Sequence, residues 1–163
     1  MNIPNITKIV VGMALLVLLG CEQDNPLVQR LDNVTAALSR QDDRYGAHYA
    51  SDHSRWRVTA GKVFSVPVTV QNTGSLPWQV GTEQPFNLGY HWLLVDETPL
   101  PGEAGRVPLP RQVLPGEKLS LQVIARAPER RGIYTLRVGL VHEGVIWFSD
   151  AGVVPLELTL LVE

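Results

Sequence analysis

The sequence of 163 residues is poor in cysteine, in long apolar runs and in clustered positive charge. Its single cysteine, Cys21, excludes a disulfide within the chain, so the folded part depends on packing alone. The most apolar run, from Ile9 to Leu19, is shorter than the ~20 residues that a membrane-spanning helix needs. No block of Lys or Arg is long enough to attract a nucleic acid, and we expect no nucleic-acid partner.

The apolar run ends at Leu18-Leu19-Gly20-Cys21 and follows a short segment that carries one cation, Lys8. A run of this length is typical of the apolar region of a secretory signal peptide. The last four residues closely resemble the lipobox of bacterial lipoproteins, in which the cysteine thiol takes a diacylglycerol. The resemblance implies that residues 1–20 are removed and that Cys21 becomes the acylated first residue of the mature chain.

The lipid attachment implied at Cys21 determines where we expect the protein to reside. Two or three acyl chains, each contributing ~0.8 kcal/mol per buried CH₂, hold a protein on a bilayer almost permanently. Glu22 stands where an aspartate would favour retention in the inner membrane, so we expect the outer membrane, facing the periplasm. An ordinary secreted protein, with a cysteine at this position by coincidence, is the alternative.

An amphipathic helix is predicted shortly after the lipidation site. Asn25-Pro26 offers an N-cap residue followed by proline at the first helical position. Apolar residues then recur with helical spacing and form one stripe: Leu27, Leu31, Val34 and Leu38. The pattern predicts a helix over residues 26–41, within a lipidated tether of residues 21–48.

Residues 49–163 have the composition of an all-β domain, because Gly and Pro punctuate runs rich in Val, Leu and Thr. Apolar and polar residues alternate in five segments, which we predict as strands: 64–70, 86–94, 119–123, 134–140 and 156–162. Pro67 predicts an edge or a bulge, and the Pro/Gly-rich segment 99–110 is predicted to be a crossing between strands. About seven strands at this spacing predict an immunoglobulin-like antiparallel β-sandwich.

Four short pieces of this domain occur in a recognisable order. They are residues 70–74 (VQNTG) with Trp78 beyond them, Pro115-Gly116-Glu117, Gly132-Ile133-Tyr134, and residues 143–148 (EGVIWF). Together they resemble a bacterial immunoglobulin-like domain, similar to the four-tryptophan (FW) domain of autophagy receptors and to modules attached to enzymes of cell-surface polysaccharide. The chain departs from the four-tryptophan pattern at Val68, where a tryptophan is expected. The resemblance implies a binding or packing module without catalytic residues.

The residues themselves favour neither a metal site nor an active site. No pair of histidines has the spacing that a zinc or copper site requires; the four are His48, His53, His91 and His142. No serine has the Gly-x-Ser-x-Gly context of a hydrolase nucleophile. We therefore expect no enzymatic activity, no metal and no other cofactor.

Large aromatic residues on the predicted strands are expected to fill the core: Trp78, Trp92, Trp147 and Tyr134. Stacking on sugars is the alternative role for the tryptophans. Tyr134 lies two residues after Gly132 at a strand start, which is the position of a tyrosine corner, where the phenol bonds to nearby backbone.

The register of the hairpin at Glu143-Gly144 decides which side chains point outward. If these two residues form the loop, Leu140 pairs with Trp147, so Trp147 is predicted to face inward and Phe148 outward. The predicted outward face is then mostly apolar and comprises Phe148, Ile146, Val141, Leu93 and Val95, next to His91 and Arg137. Such a face needs a cover. Either the helix over residues 26–41 lies on it, or a partner binds there.

Arg106 and Arg111 flank the segment Val107-Pro108-Leu109-Pro110 and are candidates for contact with an acidic glycan or partner. Pairing with a local carboxylate is the alternative for both arginines. Taken together, these features predict a lipid-anchored, non-catalytic binding module whose partner is an envelope protein or glycan, accessory to the assembly or export of a surface polysaccharide. A protein–protein adaptor or chaperone-like subunit is the alternative, and a weak hydrolase is a third possibility.

Overall fold

The computed structural model describes residues 43–163, except the side chain of Glu103. The predicted signal peptide, the lipidation site at Cys21 and the predicted helix over residues 26–41 lie outside the described residues. Strands make up the regular structure of the described part, and they are β1 (Ala47–Ala50), β2 (Arg55–Val58), β3 (Val63–Asn72), β4 (Phe86–Leu93), β5 (Pro99–Pro108), β6 (Lys118–Arg126), β7 (Gly132–His142), β8 (Ile146–Trp147) and β9 (Leu156–Val162).

The strands form two sheets that enclose one apolar core. The three-stranded sheet has the order β1-β3-β6, and the six-stranded sheet has the order β2-β9-β7-β4-β5 with β8 paired to β7. Neighbouring strands are antiparallel except β2 and β9, which run parallel. The predicted fold class, an immunoglobulin-like antiparallel β-sandwich, is confirmed.

Alternation of side chains explains β3, the middle strand of the smaller sheet. Val66, Val68 and Val70 are buried, while the residues between them are partly exposed. Pro67 is tolerated because β1 ends before reaching it, and the Ser51 hydroxyl bonds to the Pro67 carbonyl instead. The nitrogen of a strand residue points to the same side as its carbonyl, so the missing N–H of Pro67 faces the side that β1 leaves unpaired. β3 as a whole is the middle strand and has no register shift against β6, so Pro67 marks neither an edge strand nor a bulge.

The core contains three of the four aromatic residues that were predicted for it. Trp78 and Trp92 are fully buried, and the rings of Trp92 and Tyr134 meet edge-on with centroids 6.0 Å apart. The Tyr134 hydroxyl donates to the carbonyl of Arg130 at 2.9 Å, which confirms the tyrosine corner.

Trp147 and Phe148 take the faces opposite to those predicted, so the predicted hairpin register is wrong. Trp147 pairs with Val141, and the loop has three residues, because the N–H of Val145 donates to the carbonyl of His142 across Gly144 at φ 72°. A shift of one residue moves every following side chain to the other face. Trp147 is therefore half-buried on the outer face, and Phe148 is fully buried.

The burial of Phe148 explains why this register is preferred. Its ring meets the rings of Tyr45, Trp78 and Phe86 edge-on, with centroids 5.3, 5.9 and 6.1 Å away. A phenylalanine in such a cluster removes a large apolar area from water and gains ring contacts that the outer face does not offer.

The segment predicted to be a crossing is β5, so that prediction is wrong. β5 pairs with β4 from Asn87 opposite Pro108 to Leu93 opposite Pro99, with a register shift between His91 and Leu93. The many prolines fit here because β5 is an edge strand, where a missing N–H on the outer side costs no hydrogen bond.

The ordered sandwich also begins a few residues before Tyr49. Tyr45 is buried in the core, and the carbonyls of Asp43 and Arg44 accept hydrogen bonds from Ser75 and Leu76. The short strands β1 and β2 were not located from the sequence.

Candidate functional site

A concave surface with both an aromatic side chain and polar groups lies on the outer face of the six-stranded sheet. We call it the Trp147 hollow. Its cavity of about 340 Å³ is lined by residues of β4, β7, β8 and the loop between β8 and β9, among them His91, Leu93, Arg137, Gly139, Trp147 and Asp150. Its volume falls within the range of small-molecule binding sites.

A cross-strand pair of glycines lies beneath the hollow and its indole. Gly89 of β4 lies opposite Gly139 of β7, and the next pair on the same face of the sheet is His91 opposite Arg137. Alternate residues of a strand point to the same face, so the two glycines leave a gap on the face that carries His91 and Arg137.

Trp147 occupies part of this gap. A Cβ atom at residue 89 would lie 2.5 Å from Cη2 and 2.7 Å from Cζ3 of the indole, so the ring rests where only glycine leaves room. A Cβ at Gly139 would instead lie 3.8 Å from its nearest neighbour, a carbon of Pro155. Gly89 is thus the residue that admits the indole, whereas Gly139 keeps the hollow deep.

Arg106 of β5 holds the indole from one side. Its guanidinium carbon lies 4.4 Å from the centre of the Trp147 ring, a favourable cation–π distance. The Arg106 Nε donates to Glu143 Oε1 at 2.7 Å, and Asn87 donates to the same oxygen at 2.9 Å. Burial raises the pKa of Glu143, but these two hydrogen bonds outweigh it and the pKa lies below its usual value.

His91 and Arg137 provide the polar wall. The His91 ring lies 4.6 Å from the Trp147 ring, and its pKa is lowered by burial and by the charges of Arg106 and Arg137. His91 is therefore neutral at pH 7. Arg137 is held by Glu157 at 2.7 Å and lies 3.6 Å from Glu97.

The far wall comes from the loop between β8 and β9. Phe148 anchors this loop in the core, and its carbonyl and amide form backbone hydrogen bonds with Ala151, Val153 and Leu140. The exposed Ser149 and Asp150 thereby stand at the rim of the hollow.

Tyr49 seals the sheet below the hollow. Strand β7 pairs with β9 as far as Val138 and with β8 from Val141, which leaves a gap between them. The N–H of Leu140 in this gap donates to the Tyr49 hydroxyl oxygen at 2.9 Å. Burial raises the pKa of Tyr49 well above its usual value, so the phenol stays protonated.

The structure brings together only part of the outward face predicted from the sequence. His91, Leu93 and Arg137 line the hollow, and Val141 is buried beside Trp147 as its cross-strand neighbour. The prediction was wrong for Phe148, which is in the core, and for Ile146, which packs against the core. Val95 is 77% exposed and lies at the end of the sheet.

Sequence reasoning placed Trp147 in the core, with sugar stacking as the alternative, and it missed the supporting Gly89. The signal that was available is the cross-strand pair of glycines, since both interrupt strands of otherwise large residues. Arg106 and Arg111 both pair with local carboxylates, Glu143 and Glu117. Neither arginine lines the cavity itself, but Arg106 contacts the Trp147 indole and thereby belongs to the site.

Residues 43–163 contain no group of three metal-ligating side chains that could hold an ion. The same residues contain no helix that is long and apolar enough to cross a membrane.

Comparison with protein-family models and with curated proteins gave no match. Among solved structures, the chain is similar to the C-terminal domain of wzt (14% identity, 72% of this chain, 70% of that chain, TM-score 0.42). It is also similar to the CARDB domain of PF1109 from Pyrococcus furiosus (14%, 72%, 94%, 0.40). A family 123 glycoside hydrolase from Clostridium perfringens matches at 11% identity over 72% of this chain, with a TM-score of 0.42, but only 27% of its own length is covered. Identities this low carry no statement about ligand or activity.

Proposed function

We propose that this protein is a lipid-anchored, non-catalytic binding module of the bacterial cell envelope, and that the Trp147 hollow binds a glycan. The observation that carries the proposal is the half-buried Trp147 held over Gly89 at the edge of a concave, polar-walled cavity.

The chemistry of the hollow suits a sugar. A sugar ring has an apolar face of C–H groups and a rim of hydroxyls, so it needs an aromatic surface together with hydrogen-bond donors and acceptors. Trp147 provides the aromatic surface, while Asp150 and Ser149 provide acceptors at the rim. Arg106 fixes the indole in place, which lowers the entropy that binding would otherwise cost.

Binding rather than catalysis is the role we assign to the hollow. A hydrolase needs a nucleophile within hydrogen-bond reach of a base. Around the hollow, the described side-chain hydrogen bonds join arginines and an asparagine to carboxylates, and none joins a hydroxyl to His91 or Asp150.

The anchor in this proposal is the acylated Cys21, and the location is the outer membrane, facing the periplasm. Both rest on the lipobox-like residues 18–21 and on Glu22. A polysaccharide that is assembled or exported through the envelope is the glycan that a module in this position would meet.

The experiment measures binding of polysaccharide fragments, isolated from the cells that make this protein, to the full acylated chain in micelles of a detergent without a sugar headgroup. We expect Trp147→Ala to weaken binding at least about tenfold, as loss of a central aromatic anchor does. Trp56→Ala is the comparison variant, because Trp56 is also half-buried but lines a different cavity, of about 400 Å³, with Arg55 and Arg57. An equal effect of the two substitutions, or none, would contradict the proposal.

A protein–protein adaptor is the second candidate, and the open edge of β6 favours it. β6 is the outer strand of the smaller sheet and pairs with β3 over nine residues without a register shift. An edge of this kind can pair with a strand of another protein. A photo-crosslinker at Ile124, which is 61% exposed on β6, would capture such a partner in intact cells, while one at Val154, 81% exposed elsewhere, would not.

A further inference from the structure

The cations at the Trp147 hollow are already paired. Arg106 lies 2.7 Å from Glu143, and Arg137 lies 2.7 Å from Glu157, with Glu97 at 3.6 Å from the same guanidinium. Each arginine therefore has a carboxylate in direct contact before any ligand arrives.

The remaining groups at the hollow add no positive charge. Asp150 stands at the rim, and within residues 43–163 no cation lies at ion-pair distance from it. His91 is neutral at pH 7, as described above. Four carboxylates (Glu97, Glu143, Glu157 and Asp150) thus surround two arginines, Arg137, which lines the hollow, and Arg106, which holds its indole.

We propose that the hollow selects an uncharged stretch of glycan and rejects acidic sugars such as uronates; this inference rests on the proposed function of the hollow as a glycan site. An acidic group would have to displace Glu157 from Arg137 or lie near the unpaired Asp150. Repulsion between the acidic sugar and these carboxylates would weaken its binding, and many binding sites gain specificity in this way.

The same groups suit hydroxyls. A carboxylate such as that of Asp150 accepts hydrogen bonds from two hydroxyl groups, and a guanidinium in an ion pair keeps N–H groups that can donate to a sugar oxygen. Recognition through such bonds and through contact with Trp147 does not depend on net charge, so salt should have little effect on it.

The experiment separates polysaccharide fragments, isolated from cells that make the protein, on an anion exchanger into an unretained, uncharged fraction and a retained, acidic fraction. Each fraction is titrated against the full acylated protein at 50 and 500 mM NaCl. We expect the unretained fraction to bind with a dissociation constant that changes less than about twofold with salt. The retained fraction should bind at least about tenfold more weakly.

The variant Glu157→Gln tests the cause of the selectivity. It leaves Arg137 without its nearest carboxylate, so affinity for the acidic fraction should rise about two- to fivefold, the range of exposed ion pairs. Glu163→Gln is the control, since Glu163 lies 3.8 Å from Arg57, away from the hollow.

The possible results distinguish the two proposals. In one outcome, the acidic fraction binds at 50 mM NaCl, fails to bind at 500 mM NaCl, and fails to bind the Trp147→Ala variant. That result would overturn the charge selectivity but would support the glycan site. Binding of neither fraction would overturn the proposed function and this inference with it. Equal effects of Glu157→Gln and Glu163→Gln would overturn the role of the Arg137 ion pair.

Discussion

The indole of Trp147 rests on Gly89, at a place where a single methyl group would lie 2.5 Å from Cη2 of the ring. The two residues lie on β8 and β4, which do not pair with each other; β7 lies between them. The indole therefore reaches across β7 to the next strand. No indole atom lies within 4 Å of the place where a Cβ at Gly139 would stand, so the missing side chain of Gly139 keeps the hollow beside the ring deep. The candidate site therefore requires glycine at residues 89 and 139 as well as tryptophan at residue 147.

Gly89→Ala is expected to displace the indole. The added methyl cannot be accommodated without movement of the ring, so glycan binding should fall at least about tenfold and stability by about 1–3 kcal/mol. Tryptophan fluorescence should shift to longer wavelength as Trp147 becomes more exposed. Gly139→Ala is the control, because its methyl would have no neighbour closer than 3.8 Å and the indole should stay in place. Identical spectra of both variants and the unaltered protein would contradict this account.

The hydroxyls of Tyr49 and Tyr134 each bond to a backbone group, which belongs to a buried residue in the first case and to an exposed residue in the second. Removing each hydroxyl shows how burial of the partner affects the loss of stability. Tyr49→Phe leaves the N–H of the fully buried Leu140 without an acceptor and should cost about 1–3 kcal/mol. Tyr134→Phe removes the hydroxyl that donates to the carbonyl of Arg130. Because Arg130 is exposed, water can replace this donor, and the loss of stability should be about 0.5–1.5 kcal/mol. Urea unfolding of the three proteins measures both, and a larger loss in Tyr134→Phe would refute the argument.

Two histidines should make the domain less stable in mild acid. Burial lowers the pKa of His142, which stacks on Phe86, and a hydrogen bond to the backbone of Gln84 offsets this only in part. The pKa of His91 is lowered too. Because the folded state holds these protons less tightly, the unfolded chain binds more of them below about pH 6.5, and stability falls as the pH drops through that region.

Thermal melts at pH 7.5 and pH 5.5 measure this effect. We expect a lower melting temperature at pH 5.5, and a smaller difference between the two values in His142→Gln. His48→Gln is the comparison variant, because His48 is an exposed histidine on β1. A pH difference that survives in a variant lacking both His91 and His142 would show that other groups cause it.

Cys21→Ser is expected to abolish lipid attachment, because the chain has no other thiol. The apolar run from Ile9 to Leu19 is too short to replace the lipid as a membrane span, so the variant should leave the membrane fraction. Metabolic labelling with a fatty acid, followed by fractionation, measures both. A serine variant that still carries the label and stays with the membrane would exclude the lipoprotein assignment.

The sequence was sufficient for strands that have one buried face and one exposed face. Buried residues alternate over residues 66–70 of β3 and 134–140 of β7, so the period of two identified both strands. The tyrosine corner was predictable because Tyr134 bonds to a carbonyl only four residues away. Features of this kind depend on local sequence alone.

The features that sequence reasoning missed depend on distant contacts. A loop of two or three residues fits Glu143-Gly144 equally well, and the choice depends on the ring cluster around Phe148, whose members come from distant segments. The prolines of β5 led to the prediction of a crossing between strands, but a strand at the edge of a sheet tolerates proline. His91 and Arg137 were correctly predicted on the outer face because side chains alternate along β4 and β7. Trp147 was assigned to the inner face because the predicted hairpin register was wrong by one residue.

The parallel pair of β2 and β9 has a consequence for how the protein matures. β9 lies inside the six-stranded sheet, so Arg55 of β2 finds its neighbour Thr159 about 100 residues later in the chain. Until those late residues have left the ribosome, the first segment of this sheet has nothing to pair with. The first strand of this sheet is therefore completed only by the last one, so closure of this part of the sandwich waits for almost the whole domain to be synthesised.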